Sequence, residues 1–377
     1  MPDQLNDPPR IDWNVTLASD SLGGISATDE FVVVGGRDLL DKSDEFICFD
    51  AKTGVEIWRH LYPASVPKDF KDARNGKLDF GNSPRATPVI VGEKVITLGA
   101  FGHLHCLKLE SGEELWATNL LLDFGGKLPT WGFVGTPLVV DNSVYVQTTA
   151  PDAALVALDL ETGDVRWQVS GNGPVYASLM LLEKGPNKQI VGWDTAGAVG
   201  WKLDDGQRMW SVKPEEPGEF LVPTPVFVGN RMLLVGENNG TRLHEFDDSG
   251  LAQKSPLATY SELSPDSHTP VVVGSFVVGV HHRLVCLNGQ NLELLGFDED
   301  RNLGEYGSLI SDGQSKTLLL TAAGHLFLHR YTPSGQPIQL ARLKLADEPG
   351  ENYSHPALVG KKFYYRIGKK MFCMNLE

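Results

Sequence analysis

A motif that recurs along the chain constrains its fold more than any other feature. The stretches FDAKTGVEIW (49–58), LKLESGEELW (107–116) and LDLETGDVRW (158–167) each place a Trp four residues after a turn Gly. KLDDGQRMW (202–210) repeats the pattern with one residue fewer before its Gly. From Gly54 to Gly250, successive turn glycines lie 58, 51, 43 and 44 residues apart. Repetition on this scale indicates one supersecondary unit per copy.

The repeat can be counted to the two ends of the chain. After Gly250, a copy with an Asn-Gly turn lies at 283–297 and another has its turn at Gly335. The half-copy KMFCMNLE (370–377) lacks an outer strand, which IDWNVTL (11–17) can supply. We therefore count eight units, the last one divided between the termini.

Each unit contains four short β-rich runs bounded by Gly, Asn or Asp, which are hairpin signals. Four antiparallel strands per unit predict an all-β fold, an eight-bladed β-propeller. The ring would be closed by the N-terminal strand completing the C-terminal blade, which removes exposed sheet edges. We expect residues 1–10 to form a disordered tail and residues 11–377 to form a single propeller domain.

The tryptophans of the repeat are expected to dock across the seams between blades. The turn Gly lets the chain reverse into the outermost strand, and the Trp then lies on that strand. A buried Trp removes roughly 150–250 Å² from water, which corresponds to at most about 4–6 kcal/mol. The structural docking residues are Trp13, Trp58, Trp116, Trp167 and Trp210. The later copies lack the Trp, so we expect their seams to be less well packed.

The Asp-x-x-Thr-Gly-x-x-x-Trp pattern, as at Asp50, Thr53, Gly54 and Trp58, resembles the tryptophan-docking repeat of the quinoprotein-like (PQQ-repeat) β-propellers. That family includes pyrroloquinoline quinone (PQQ) dehydrogenases and non-enzymatic BamB-like proteins of β-barrel assembly. The resemblance covers the whole chain, most strongly over 45–210. It implies the eight-bladed fold but does not specify an activity, because enzymes and scaffolds share the repeat.

Composition excludes some partners. The formal net charge of −15 argues against nucleic-acid binding, which needs a basic footprint. No apolar run approaches the length of a transmembrane helix, and residues 1–10 show no signal-peptide pattern. The four cysteines occupy the same place in four different blades, which indicates a packing role rather than disulfides or a metal site. We expect no metal site.

Two long connections between blades could form a binding face. Residues 60–85 link the first two blades and 118–133 link the next two, and the segment 35–45 of blade 1 lies at the same end. Long ordered connections are often functional. The candidate binding residues here are Asp79, Arg85, Asp123, Lys127 and Trp131. Alternatively, these loops only cap the ring and satisfy one another.

The starts of the innermost strands supply a second set of candidates. Their second and third positions are nearly uniform, small and then Thr or Ser, except at His268 and His355. Their first position varies and includes Arg85, Tyr306 and Tyr353. Individual residues on a uniform framework are what a specific ring mouth would need. The alternative interpretation is that these residues merely fill the wedge of the ring.

Three functions remain open. The first is a non-catalytic scaffold, without cofactor, that binds a protein or a small-molecule or polysaccharide ligand at the loop face. It would be monomeric and periplasmic or in the cell envelope, and an exposed apolar patch around Trp131 and Phe133 would favour it. The second is a PQQ-dependent alcohol or sugar dehydrogenase. The resemblance implies PQQ and Ca²⁺ for that enzyme, with Asp79 as a possible base, but the vicinal cysteines of many such enzymes are missing.

The third function is a propeller enzyme acting on polysaccharide. It would need His268, His355 and the tyrosines close together at an open, polar mouth.

Overall fold

The computed structural model describes residues 1–67, 70, 77–186, 188–217, 220–345 and 352–376. Part of the first long connection, 68–69 and 71–76, lies outside the described residues. The contacts divide the chain into two units. The first unit comprises residues 11–174 and 354–375, and the second comprises 1–10, 175–353 and 376–377.

The first unit contains four four-stranded antiparallel sheets, or blades. The first strand of the chain, β1 (Arg10–Thr16), belongs to blade 8. Blade 1 consists of β2 (Ser26–Ala27), β3 (Phe31–Arg37), β4 (Ser43–Asp50) and β5 (Glu56–Pro63). Blade 2 consists of β6 (Val89–Val91), β7 (Lys94–Leu98), β8 (His103–Lys108) and β9 (Glu114–Asn119). Blade 3 consists of β10 (Leu138–Val140), β11 (Ser143–Gln147), β12 (Leu155–Asp159) and β13 (Val165–Val169), with a 3-10 helix at Pro151–Ala153.

The second unit contains blades 4 to 7. Blade 4 consists of β14 (Met180–Glu183), β15 (Lys188–Asp194), β16 (Gly197–Lys202) and β17 (Arg208–Val212). Blade 5 consists of β18 (Val226–Val228), β19 (Arg231–Gly236), β20 (Gly240–Glu245) and β21 (Ala258–Tyr260). Blade 6 consists of β22 (Val271–Val273), β23 (Phe276–His281), β24 (Arg283–Asn288) and β25 (Leu294–Asp298). Blade 7 consists of β26 (Gly307–Ser311), β27 (Lys316–Thr321), β28 (His325–Tyr331) and β29 (Pro337–Lys344).

The two chain ends share one sheet. Blade 8 is completed by β30 (Ala357–Val359), β31 (Lys362–Ile367) and β32 (Lys370–Asn375), and β1 pairs with β32 as its outermost strand. The prediction of an eight-bladed β-propeller, in which the N-terminal strand completes the C-terminal blade, is confirmed. The disorder of residues 1–10 and the single domain over 11–377 stay predictions. Lys316 Nζ donates hydrogen bonds to the carbonyl oxygens of Met1 and Pro2.

The turn of the repeat is built by its Asp. In blade 1, Asp50 Oδ1 accepts hydrogen bonds from the backbone N–H groups of Lys52 and Thr53 and from the Thr53 hydroxyl. These bonds close the tight turn before Gly54, whose φ of +71° lies in the left-handed region that favours glycine. The turn sequence is therefore fixed by local hydrogen bonding.

The indole rings of three repeats dock on the turn of the following blade. Trp58 Nε1 donates to the carbonyl oxygen of Leu109 at 2.7 Å, and Trp116 Nε1 donates to that of Leu160 at 2.9 Å. Trp13 makes the same bond to Ala51 at 3.1 Å. A Cβ atom at the next turn glycine would lie 2.6–2.7 Å from each ring, at Gly54, Gly112 and Gly163. The glycines therefore leave the space that the indoles occupy.

Two other tryptophans of the repeat, Trp167 and Trp210, make different contacts. Trp167 is only half-buried and contacts Tyr145 of its own blade, with ring centroids 5.8 Å apart. Trp210 Nε1 donates to Gln189 Oε1, and Gln189 Nε2 in turn donates to the carbonyl oxygen of Gly250 in blade 5. This indole therefore reaches the next blade through a glutamine.

The inner strands are tied together by hydroxyl groups. Thr136 Oγ1 accepts a hydrogen bond from Thr87 N–H of the preceding blade, and Thr269 Oγ1 accepts one from Thr224 N–H. His268 departs from this framework: its Nε2–H donates to the carbonyl oxygen of Val280. Burial lowers the pKa of His268 to about 4.

The four cysteines are free and buried, each in the third strand of its blade. Burial raises the pKa of Cys48, Cys106 and Cys286 to about 12. A thiol in such surroundings stays protonated and packs as a small apolar group.

We expect Trp116→Ala to lower the free energy of unfolding by about 3–5 kcal/mol, because it removes a buried ring and its hydrogen bond from the seam between blades 2 and 3. Trp167→Ala is the matched control and should cost less, since that ring is half-buried. Denaturant unfolding of both variants measures the difference. Equal costs would contradict the docking role of Trp116.

We expect His268 to make stability depend on pH. The folded-state pKa lies below the value of about 6.5 for an unfolded chain, so the unfolded state alone gains a proton between pH 6.5 and 4. The contribution of His268 to the free energy of unfolding is therefore present above pH 6.5 and is lost as the pH falls from 6.5 to 4. Unfolding free energies of the wild type and His268→Gln, measured from pH 7 to pH 4, should converge on acidification. A pH-independent difference would contradict this prediction.

Candidate interaction surface

Three connections of the first unit leave the same end of their blades. In an antiparallel blade, the turn from the second to the third strand and the connection from the outer strand to the next blade lie at the same end of the sheet. We define the loop surface as residues 37–43 of blade 1, 77–85 before blade 2, and 120–133 before blade 3. The two long connections and the blade 1 hairpin that the sequence singles out thus belong to one end of blades 1 to 3.

A buried arginine holds the blade 1 hairpin. Arg37 Nε donates to Asp41 Oδ1 at 2.9 Å, and Arg37 Nη1 donates to Asp44 Oδ1 and to the carbonyl oxygen of Ala64, both at 2.8 Å. Arg37 and Asp44 are both buried. Burial raises the pKa of Asp44 to about 6, and the Arg37 guanidinium opposes that rise. Removing either partner would leave a buried charge uncompensated, which is strongly destabilising.

The hairpin is bonded to the next connection. Asn82 Nδ2 donates to Asp41 Oδ2 at 3.2 Å, and Lys77 Nζ lies 3.1 Å from the same oxygen. Leu78 lies beside Gly132 of the following connection: a Cβ atom at Gly132 would be 3.0 Å from Leu78 Cδ1. The three segments therefore form one connected surface.

The Arg85 side chain forms hydrogen bonds with the backbone of its own loop. Its guanidinium donates to the carbonyl oxygens of Asp79 at 2.6 Å, Gly81 at 3.0 Å and Ser83 at 3.3 Å, and its side chain is buried. Arg85 thus acts as a clasp that fixes the backbone of 79–83. The guanidinium of this candidate residue is engaged within its own loop.

That clasp holds Phe80 in an unusual conformation. Its φ is +62°, which is rare for a bulky residue, and 66% of the residue is exposed. A strained backbone that keeps a large apolar ring in solvent points to a functional role for the ring.

Three further large apolar side chains are exposed on the loop surface. Leu39 and Leu40, at the tip of the blade 1 hairpin, are 83% and 74% exposed. Leu122, in the connection before blade 3, is 81% exposed. Scattered exposed leucines are ordinary, but four large apolar residues on three neighbouring loops make this surface a candidate interaction site.

The exposed patch around Trp131 and Phe133 that would favour a scaffold does not include Phe133. Phe133 is buried in the core between blades 2 and 3, and its N–H group donates to the carbonyl oxygen of Ala100 at 2.9 Å. Trp131 is half-buried. The connection folds back at Gly132, whose φ is +71°, and this turn carries Phe133 inward. The exposed apolar residues are instead Leu39, Leu40, Phe80 and Leu122.

The charged candidates of the same connection are exposed. Asp123 Oδ2 accepts hydrogen bonds from the Thr118 hydroxyl and from Asn119 N–H, both at 2.7 Å, so this carboxylate orders its own turn. Lys127 N–H donates to Thr149 Oγ1 at 2.8 Å, and its side chain is exposed. Asp123 directly follows the exposed Leu122.

The inner-strand candidates fall in both units. In the second unit, the rings of Tyr306 and Tyr353 meet edge to face with centroids 5.8 Å apart, and the Tyr306 hydroxyl lies 3.5 Å from Asp266 Oδ2. His268 bonds to a backbone carbonyl, as described above. His355 lies in the first unit, is exposed, and donates from Nδ1 to the carbonyl oxygen of Pro356 at 3.0 Å. The structure therefore brings the two tyrosines together, whereas each histidine bonds to backbone.

Among the described residues, no helix has the length and apolar character needed to span a bilayer.

Comparisons with known proteins agree with the repeat. In the Shewanella oneidensis proteome, a protein named outer membrane protein assembly factor BamB is 24% identical over 96% of this chain and 88% of its own length. The crystal structure of BamB from Moraxella catarrhalis has a TM-score of 0.66 at 15% identity and covers 97% of both chains. Quinohemoprotein alcohol dehydrogenase from Comamonas testosteroni has a TM-score of 0.67 at 12% identity, over 97% of this chain and 76% of that one. These two structural likenesses show the fold.

Family membership rests on sequence. The family described as outer membrane protein assembly factor BamB matches residues 42–293, which is more than half of the chain. The match covers β4 and β5 of blade 1, all of blades 2 to 5 and β22 to β24 of blade 6. Phe80 and Leu122 lie within it, whereas Leu39 and Leu40 lie just before it. The chain therefore belongs to the BamB family of outer membrane protein assembly factors.

Proposed function

We propose that this protein is a non-catalytic scaffold of the cell envelope that binds a protein partner through the loop surface of blades 1 to 3. The partner would be another component of outer membrane protein assembly, as the name of the family suggests. One observation carries the proposal: Leu39, Leu40 and Phe80 are exposed on loops that a buried ion pair and the Arg85 hydrogen bonds hold in place, and Leu122 is exposed on the following connection.

The energetics of such a surface favour protein binding. Burying a Leu or Phe side chain contributes roughly 1.5–3 kcal/mol, and a few central apolar residues commonly dominate an interface. The Arg37–Asp44 pair and the Arg85 clasp order the loops before binding. A preordered surface loses less conformational entropy on association, so more of the contact energy appears as affinity.

The charges around the patch indicate the partner's chemistry. The loop surface carries both signs of charge: Asp38, Asp41, Asp79 and Asp123 lie on it together with Arg37, Lys42, Lys77, Arg85 and Lys127. Complementary potentials speed association and select partners. Because acidic and basic groups nearly balance there, we expect a partner surface with an apolar centre and a rim of mixed charge, rather than a polysaccharide, whose recognition relies on polar groups.

A PQQ dehydrogenase remains the alternative, and it is supported by likeness of fold alone. The scaffold proposal includes no cofactor. We expect PQQ with Ca²⁺ to leave the melting temperature unchanged, because only a ligand that binds the native state raises stability. At a hundredfold excess over Kd, binding would add about 2.7 kcal/mol. A clear upward shift accompanied by a quinone absorption band would contradict the proposal.

The interaction surface can be tested in cells that lack the native protein. We expect the combined change Leu39→Ser, Leu40→Ser, Phe80→Ser and Leu122→Ser to abolish complementation, measured as the amount of folded outer membrane protein. Leu257→Ser is the control, since Leu257 is 49% exposed but lies in blade 5. Circular dichroism of the purified variants checks that both fold. Full complementation by the fourfold variant would contradict the proposed surface.

Site-directed photocrosslinking identifies the partner directly. A photoreactive residue in place of Phe80 or Leu122 should crosslink to an assembly component, which mass spectrometry can name. The same residue in place of Leu257 should not give that product. Identical products from all three positions would indicate random contact and contradict the proposal.

A further inference from the structure

Two histidines and a glutamate meet at the seam between blades 1 and 2. His60 lies on β5, the outermost strand of blade 1, while His105 and Glu114 lie on β8 and β9 of blade 2. Glu114 Oε2 is 2.9 Å from His105 Nδ1 and 3.5 Å from His60 Nε2. The three side chains each offer one ligand atom, and these atoms all lie within 4.8 Å of one another.

The strands position these groups by alternation and by a bulge. Alternate residues of a strand face the same side, so the imidazole of His105 shares a face with that of His103, and His60 shares one with Tyr62. The pairing of β8 with β9 shifts register between Cys106 and Leu107, which brings Glu114 opposite Leu107. The imidazole rings of His60 and His105 are 5.0 Å apart between centroids.

One ring nitrogen of each imidazole lacks a hydrogen-bond partner among the described residues. These atoms, Nε2 of His60 and Nε2 of His105, are buried. A buried polar atom without a partner is destabilising, and a bound cation would supply the missing partner. His105 is buried, His60 is half-buried, and the Glu114 carboxylate is 43% exposed, so the group is dry on one side and open to solvent on the other.

We propose that His60, His105 and Glu114 form a binding site for a divalent transition metal of the Zn²⁺ class. Two imidazoles and a carboxylate are a typical zinc donor set. Zinc–nitrogen and zinc–oxygen distances of about 2.0–2.2 Å place tetrahedral ligands about 3.3–3.6 Å apart, close to the 3.5 Å between Glu114 Oε2 and His60 Nε2. Glu114 and His105, which are hydrogen-bonded at 2.9 Å, would separate slightly to admit the ion. Water can occupy the fourth position at the exposed Glu114 side. The bound ion would join the outer strand of blade 1 to blade 2.

Another group of similar composition provides an internal control. His281, His282 and Glu305 of the second unit also lie within 4.8 Å of one another, but His282 is exposed. Exposed histidines bind metal ions weakly and without a fixed geometry. Variants in the two clusters therefore distinguish a built site from adventitious binding.

The test is a Co²⁺ titration of chelator-treated full-length protein, read by visible absorption, with Zn²⁺ competition. We expect one tetrahedral Co²⁺ spectrum that Zn²⁺ abolishes. His60→Gln and Glu114→Gln should each weaken binding at least about tenfold, since even outer-shell changes cost that much. His282→Gln should leave the spectrum and affinity unchanged.

Protein stability gives a second measurement. Zn²⁺ should raise the melting temperature of the wild type and of His282→Gln but not of Glu114→Gln, whose exposed side chain can be replaced without disturbing the core. The site would be ruled out by three outcomes: no Co²⁺ spectrum, binding lost in His282→Gln but kept in His60→Gln, or an equal thermal shift in Glu114→Gln.

Discussion

The contact between an indole ring and the turn glycine of the next blade is the interaction on which the seams of blades 8, 1, 2 and 3 depend. The ring needs the space that a Cβ atom would fill, and the turn needs the positive φ that glycine adopts most readily. The indole N–H group then bonds to a carbonyl oxygen beside that turn. One glycine thus meets a backbone requirement in its own blade and a packing requirement of its neighbour.

The sequence was sufficient to predict the propeller because the turn residues and the Trp that form the contact between blades recur together in a short motif. Asp closes the turn in blades 1 and 3, Gly follows it, and Trp comes four residues later. A short motif therefore predicts contacts between residues 38 to 51 positions apart. Trp210 has the same spacing but bonds to Gln189, which the motif does not contain. Where the contact depends on a residue from another strand, sequence spacing alone does not predict it.

The loop surface was predicted only as a region. Phe80 and Phe133 look alike in the sequence, since both are aromatic residues in long connections beside a glycine. The turn at Gly132 buries Phe133, and the Arg85 clasp around 79–83 leaves Phe80 exposed. Neither outcome follows from hydropathy, because each depends on which backbone carbonyls a loop presents to a distant side chain. The three residues of the proposed metal site were missed for a related reason: a blade seam and a β-bulge bring them together.

The seam between blades 1 and 2 connects the proposed metal site with the loop surface. The ring of Tyr62 lies 4.2 Å from that of His105 between centroids, and its hydroxyl donates to Asp44 Oδ2 at 3.2 Å. Asp44 in turn pairs with Arg37, which holds the hairpin carrying Leu39 and Leu40. A change in the position of His105 would therefore reach the hairpin through one aromatic ring and one ion pair. Because the interior between them is close-packed, ordering the seam would also order the loop surface that we propose as the binding site.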